Sequence, residues 1–485
     1  MSDSPTIPAD LKALEARLRH GLDCLNYPPA NWVPPQHYGH AKVVDVAVIG
    51  GGMCGLVATF SLLRLGIRNI RVFDRSEPGV EGPWVTYARM DTLRSPKQLV
   101  GPAADLPDLT FRAWYESQHG ETAWEQLGKI PRPMWMDYLR WYRSVLELQV
   151  ENGVEATRIE PVEDGLLRLP LHGAAETGVY ARKVVMATGR EGLGESYVPP
   201  FVDQLPGELW AHSADPIDFA SLRGRRVVVI GMGASAVDNA AEALEAGAAE
   251  VRLLARRKKM PLINKLMGIG SPGFTYGYPE LSDLWRWRFM HYASCEQTPA
   301  PHGSTLRVSS HANAYFHFDC AIRAMSLDNG AIRIDTMRGK RFEADFVILC
   351  TGFTVDPPAR PELAGYDDQI ATWADRFTPP PELASAELAR FPYLAPSFAF
   401  TEREPGNAPW LKNIFCYNYA ATLSLGKVSG DIPAVANGAA MLAQAIAAEL
   451  YVEDVEQHYQ HLLDYQKPEL VGDEWTDAEA LSPVK

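Results

Sequence analysis

Two stretches of this chain repeat one another at an offset of 181 residues, and that repeat constrains the fold more than any other feature. The first copy runs Val43 to Leu56, continues as an apolar helical stretch to Gly66, and ends in the strand-like segment Ile70 to Ser76. The second runs Arg226 to Val237, continues to Gly247, and ends in Val251 to Lys258. The offset from Gly50 to Gly231 equals that from Gly66 to Gly247, so strand, glycine turn, helix length and second strand recur in register. A single glycine-rich turn is weak evidence, since such turns often only shape the chain. Two in matching strand–helix–strand frames are strong evidence.

The chemistry of that unit is specific. Gly50 permits the tight turn out of the strand, Gly52 lets a pyrophosphate approach the backbone, and Gly55 lets the helix pack against the strand. The helix that begins at Met53 and Cys54 offers unpaired N–H groups and a positive dipole end to the phosphates. Gly231, Gly233 and Ala236 repeat the pattern, with Ala234 and Ser235 in the first turn of the second helix. The chain therefore reads as two dinucleotide sites in one protein.

The two strand ends differ in sign. Asp74, followed by Arg75, lies where a carboxylate accepts from ribose hydroxyls and repels a 2′-phosphate, which points to FAD. The offset carries Asp74 onto Ala255, followed by Arg256, Arg257, Lys258 and Lys259. A basic run is usually a solvated face. Here it ends the second strand, where guanidinium groups would bind a 2′-phosphate, and that points to NADPH.

The expected fold is α/β: two dinucleotide-binding, Rossmann-like domains in a glutathione-reductase-like arrangement, with a helical insertion. Residues 1–40 read as an N-terminal helical arm, 41–195 with 351–485 as the FAD half, and 196–350 as the NADPH half. The insertion is expected over about 262–319. The segments Arg182 to Gly192 and Ala344 to Pro357, each an apolar strand with a Thr-Gly turn, would return the chain between the halves. Asp431, before the apolar stretch Ala434 to Leu450, is expected either to accept from the ribityl chain of FAD or to cap a helix. That stretch reads as a buried or amphipathic helix, because Asn437 and Gln444 interrupt it.

A net charge of −14 over 485 residues argues against a nucleic-acid footprint. Six scattered cysteines without a close pair fit a reducing, cytoplasmic setting and disfavour a disulfide reductase. No secretory leader is expected, a small-molecule substrate and O2 are the expected partners, and a homo-oligomer is compatible with the sequence.

Over roughly residues 40–450 the chain resembles class B flavoprotein monooxygenases, the flavin-containing and Baeyer–Villiger type. Glu81 to Trp84 is similar to their GGxW segment, Ala88 to Asp91, including Met90, to ARxD, and Ser95 to Gln98 to S-x-K-E. Leu205 to Gly207 with His212 is similar to the linking motif FxGxxxH, though Leu205 replaces phenylalanine and the gap is one residue longer. A bacterial group of FAD-dependent urate hydroxylases is similar too, which implies a flat, electron-rich ring as substrate. The resemblance implies that NADPH reduces FAD, that the flavin C4a-(hydro)peroxide forms with O2, and that one oxygen passes to substrate. It also places Trp84, Met90, Gln98 and Asp431 beside FAD, and Asp91 and Arg94 near the flavin edge. There Arg94 would stabilise negative charge and Asp91 would position it; a structural ion pair is an equal reading. His212 is expected to be a linker hydrogen-bonder. Trp285, Trp287, Phe289 and Tyr292 are expected either to line a substrate cavity or to pack a core. A flavin reductase, or a non-catalytic NADPH-binding protein, are the competing readings; oxygen-dependent NADPH consumption separates them.

Overall fold

The computed structural model describes residues 10–478, so positions 1–9 of the expected arm and 479–485 of the expected FAD half lie outside the described residues. The chain enters with α1 (Leu11–Cys24), capped by Asp10, whose carboxylate accepts from the Lys12 N–H. Leu14, Leu18 and Leu22 recur every fourth residue and are buried, so the arm is fastened along one face to the first core.

β1 (Ala41–Ile49), α2 (Met53–Arg64) and β2 (Ile70–Asp74) follow, with β1 and β2 parallel. The buried run Val43 to Ile49 has no polar alternation except Asp45, as expected of a strand covered on both faces. After α3 (Arg132–Val145), β3 (Leu167–His172) pairs antiparallel with the near half of β4 (Gly178–Met186). β4 also lies parallel to β1.

The second half holds β5 (Trp210–His212), β6 (Arg226–Ile230), α4 (Ala234–Glu245) and β7 (Glu250–Leu254). It continues through α5 (Asp283–Glu296), α6 (His302–Ser309) and β8 (Ala314–His317). A meander of β9 (Ile322–Asp328), β10 (Ala331–Thr336) and β11 (Arg341–Ala344) leads into β12 (Phe346–Leu349). The second sheet is parallel throughout, in the order β8-β7-β6-β12-β5. The chain then returns to the first sheet, where β13 (Ile414–Cys416) pairs with the far half of β4. It finishes with α7 (Val435–Glu453) and α8 (Val455–Asp464). The repeat is therefore realised twice: α2 and α4 have the same length and the same offset as their glycines.

The insertion differs from expectation in two respects. Its last residues, Ala314 to His317, are not helical or peripheral; they form β8, a strand of the second sheet. Its helix α5 packs away from that sheet and onto the first half. Trp287 is buried against Trp373 and Phe377, and its indole N–H donates to the Leu383 carbonyl at 2.8 Å. Tyr278 donates to the Leu423 carbonyl at 3.1 Å. The core-packing reading thus holds for Trp287, whereas Trp285 and Tyr292 are about half exposed.

α7 is long and apolar enough to cross a membrane by length and composition, yet Leu442, Ala443, Ile446 and Leu450 are packed into the first core beside α2. Its far end is held by charge. Buried Arg182 pairs with Asp454 at 2.7 Å and Glu453 at 3.1 Å, and buried Lys183 with Glu453 at 2.7 Å and Glu449 at 2.9 Å. Asp45 lies beside this cluster with one carboxylate oxygen lacking a partner, and burial pushes its carboxyl up to about 6. A carboxyl raised in the folded state stabilises at low pH, and that stability is lost as pH rises from about 4 through about 6. Asp45→Asn keeps the shape without the charge. It is expected to stabilise the fold at pH 8 by on the order of 2 kcal/mol. Chemical unfolding measured from pH 8 to pH 4 should show that gain shrinking to near zero; a pH-independent gain would contradict it.

Candidate functional site

Both glycine turns stand at the carboxyl ends of their sheets, and their glycines divide into two kinds. Gly50 has φ +104°, and a Cβ there would come 2.5 Å from the Ala187 carbonyl oxygen, where β4 ends. Gly231 has φ +129° and faces the Cys350 carbonyl oxygen, where β12 ends, at 2.6 Å. A Cβ on Gly55 would lie 1.8 Å from the Gly50 carbonyl oxygen. These glycines are required by the protein itself, because backbone fills the space.

Gly52 and Gly233 are different. Their φ values of −73° and −81° suit any residue. A Cβ on Gly52 would find no atom nearer than 3.9 Å, and one on Gly233 nothing within 4 Å. Neither helix has a side-chain cap, so the N–H groups of Met53 and Cys54, and of Ala234 and Ser235, face that open space. The cradle at each N-terminus has the shape and donors for a pyrophosphate.

Asp74 is held at the end of β2, where it accepts from the Gly51 N–H at 2.7 Å and the Ser76 N–H at 2.8 Å. Arg75 beside it is mostly exposed. Next to this turn lies a cavity of about 290 Å³ lined by Gly51, Gly52, Met53, Glu81, Arg140 and Arg143, among others. Glu81 is buried and accepts from Arg143 at 2.7 Å and Asn152 at 2.6 Å. Arg140 donates to the Gly79 carbonyl at 2.8 Å. Sequence reasoning missed both arginines. Their signal was present in α3, where Trp135, Met136 and Leu139 face the core and leave Arg140 and Arg143 at its edge.

The loop carrying Trp84 and Met90 is clamped from the same helix. Arg132 donates to the Met90 carbonyl at 2.8 Å and also to the Trp84 carbonyl. The Trp84 ring meets Trp135 edge-on at 6.2 Å. Gln98 is exposed.

Asp91 and Arg94 do not pair with each other, which corrects the expectation that Asp91 positions Arg94. Asp91 pairs with Arg307 at 3.0 Å, and Arg307 also binds Glu245 at 2.7 Å and Glu242 at 3.2 Å on α4. Arg94 instead donates to the Pro299 carbonyl, and burial lowers its pKa. The reason lies in α6, a helix of the expected insertion, which wedges Arg307 between the loop and α4. Arg94 faces α4 through Asp238, whose own pKa is raised by burial despite hydrogen bonding to Ser304.

Asp431 pairs with Lys427 at 2.5 Å and makes no side-chain cap, so the capping alternative fails. It lies near Cys54, whose thiol is pushed up to about 12 by burial and by that carboxylate. Burial likewise raises the thiols of Cys350 and Cys416. Among the described residues no group of His, Cys, Asp or Glu could hold a metal.

At the second strand end, Arg256 is exposed, and Arg257 donates to the Cys295 carbonyl at 2.9 Å. His212 is buried between the halves. Its Nε2 faces the Gly352 carbonyl at 3.1 Å and its Nδ1 the Ala214 N–H at 3.2 Å, which selects the neutral Nε2–H tautomer. Burial lowers its pKa, in keeping with a linker hydrogen-bonder.

Family models and relatives agree with this geometry. An FAD-NAD(P)-binding model matches residues 47–191, and an L-lysine 6-monooxygenase/L-ornithine 5-monooxygenase model matches 123–265. An FAD-dependent urate hydroxylase of Xanthomonas campestris is 39% identical over 465 residues, 95% of this chain and 98% of that protein. Ornithine hydroxylase from Pseudomonas aeruginosa has the same fold at a TM-score of 0.64 and 16% identity, over 84% of this chain and 100% of that one. L-lysine 6-monooxygenase from Pseudomonas syringae matches at 0.63 and 18%, over 84% and 99%. With both glycine cradles in place and identity running nearly end to end, this chain belongs to the FAD-dependent, NADPH-consuming hydroxylases of the flavoprotein monooxygenase family.

Proposed function

We propose that the chain hydroxylates a flat, electron-rich heteroaromatic ring of the urate type, in a cytoplasmic setting without a membrane or nucleic-acid partner. The observation that carries this reading is the near-complete match to a relative named for urate. The match to the lysine/ornithine monooxygenase model supports a second substrate class, a primary amine. Residues 41–195 with 351–485 serve as the FAD half and 196–350 as the NADPH half.

Bound FAD and NADPH supply the redox and oxygen-activating chemistry. The chain's own residues bind, orient and exclude water. Gly50, Gly52, Gly55, Met53 and Cys54 hold the FAD pyrophosphate, and Asp74 with Arg75 the adenosine end. Trp84, Met90, Gln98 and Asp431 flank the rest of FAD. Gly231, Gly233, Ala234, Ser235 and Ala236 hold the NADPH pyrophosphate, with Arg256 and Arg257 at the 2′-phosphate. Arg94 presents a half-buried cation to the reacting face, where low dielectric strengthens its pull on developing negative charge. Asp91 serves this arrangement through Arg307, by fixing the loop to α4.

Three outcomes are expected. Gly52→Val should fold normally, because its φ and surroundings accept a side chain, yet purify with little flavin. Full flavin retention, read from the visible spectrum, would falsify the cradle. Replacing Arg256 and Arg257 by alanine should raise the NADPH KM by roughly one to two decades, since a charged hydrogen bond contributes ~1.5–3 kcal/mol. The NADH KM should barely move; equal effects on both coenzymes would remove the arginines from this role. With urate, NADPH oxidation and oxygen uptake should be coupled, and Arg94→Ala should keep NADPH oxidation while diverting oxygen to free hydrogen peroxide. Arg94→Lys should restore part of the coupling. Turnover of ornithine or lysine in place of urate would select the amine reading, and wild-type coupling in Arg94→Ala would make Arg94 structural.

A further inference from the structure

The last described segment of the chain touches the body through His458, which stacks on Tyr451 at 4.3 Å and meets Trp32 at 5.8 Å, and leaves its apolar side chains open. On α8 and the tail after it, Tyr459, Leu462, Tyr465, Val471 and Trp475 are each more than half exposed. No residue of α8 is buried. Three rings at roughly 60% exposure offer about 300–450 Å² of aromatic surface. Exposed apolar surface rimmed by polar residues often marks an interaction site. Between Val455 and Trp475 the segment carries five carboxylates against one lysine.

A second surface has the complementary character. The loop that leaves β7 carries, past Arg256 and Arg257, three lysines (Lys258, Lys259 and Lys265) and no acidic residue over residues 258–268. Within it Leu262, Ile263 and Met267 are 85%, 61% and 74% exposed. Apolar side chains flanked by lysines meet apolar side chains flanked by carboxylates, a match of both kinds at once.

The two surfaces stand at opposite ends of α7. Asn437, in its first turn, donates at 2.8 Å to the hydroxyl of Tyr276, which follows the basic loop by eight residues in the chain. α8 starts just past its last residue, Glu453. Eighteen steps along a helix span about 27 Å. The buried pairs of Arg182 and Lys183 with Glu453 and Asp454 fix that far end, so the arm starts out distant from the basic loop of its own chain.

We propose that the C-terminal arm, residues 455–475, docks on the 258–267 loop of a second copy of this chain, and that two copies exchange arms reciprocally. A two-fold arrangement satisfies both contacts with one geometry, since each copy gives one arm and receives one. This goes beyond the hydroxylase reading and does not depend on the substrate. The receiving loop continues directly from Arg256 and Arg257, so the partner's arm lies along the rim of the NADPH site.

The test uses the full-length flavoprotein in sedimentation velocity across a concentration series. The wild type should sediment as a dimer that weakens as salt is raised. Reversing the loop (Lys258→Glu, Lys259→Glu, Lys265→Glu) or the arm (Glu469→Lys, Asp473→Lys, Glu474→Lys) should each raise the dimer Kd at least ten-fold. Combining both reversals in one chain should restore association. With Cys24 and Cys295 replaced by serine, Met267→Cys and Trp475→Cys made in separate chains should form a disulfide-linked dimer on mixing. The flavin spectrum of every variant reports that it has folded. A monomeric wild type, or a dimer that neither one-sided reversal weakens, overturns the proposal. So does a failure of the mixed cysteine variants to cross-link while the double variant links within one chain.

Discussion

The arrangement of the molecule depends on a single close approach made twice. The first glycine of each turn lies against the carbonyl that ends the neighbouring parallel strand, Ala187 in one half and Cys350 in the other. With no side chain in the way, the turn sits flush with the sheet, and the helix that follows starts at the sheet's carboxyl edge. This brings the N-termini of α2 and α4 to the places where strand ends leave a crevice, the usual ligand position in open α/β sheets. Everything else near the site, from the Arg132 clamp to the Arg307 bridge, adjusts elements whose positions these two turns have already set.

Contrasting glycines show which constraints come from the protein and which from its ligand. Gly50, Gly55 and Gly231 are dictated by backbone crowding or by positive φ, so the folded chain alone explains them. Gly52 and Gly233 have ordinary φ and open surroundings. A side chain there is excluded only by something the chain itself does not supply. That separation distinguishes the glycines that build the turn from those that leave room for a pyrophosphate.

Much of this was legible in the sequence because it is local and repeated. A parallel βαβ unit carries its strand, turn, helix and acidic or basic strand end within about 30 residues, and two copies in register remove the ambiguity of one. What escaped was non-local. β8 was hidden in the presumed insertion, because Ala314 to His317 is too short and mixed to stand out from its helical surroundings. Trp287 packs on Trp373, a contact between segments far apart in the chain that no periodicity reveals. Asp91 and Arg94 sit at helical spacing, which suggested a pair, but α6 brings Arg307 to Asp91 and Pro299 to Arg94. Charge partners are chosen by tertiary wedging, and spacing along the chain is a poor guide where the backbone is a loop.

The buried thiols carry a consequence for durability. Cys54 lies in the first turn, Cys350 against the second, and Cys416 at the end of the strand that closes the first sheet. Oxidation of cysteine to sulfenic acid proceeds through the thiolate. Burial favours the protonated form of each of these groups, which slows that reaction at positions beside the turns. The same close packing that seats the two glycine turns thus also shields the sulfurs beside them from oxidation.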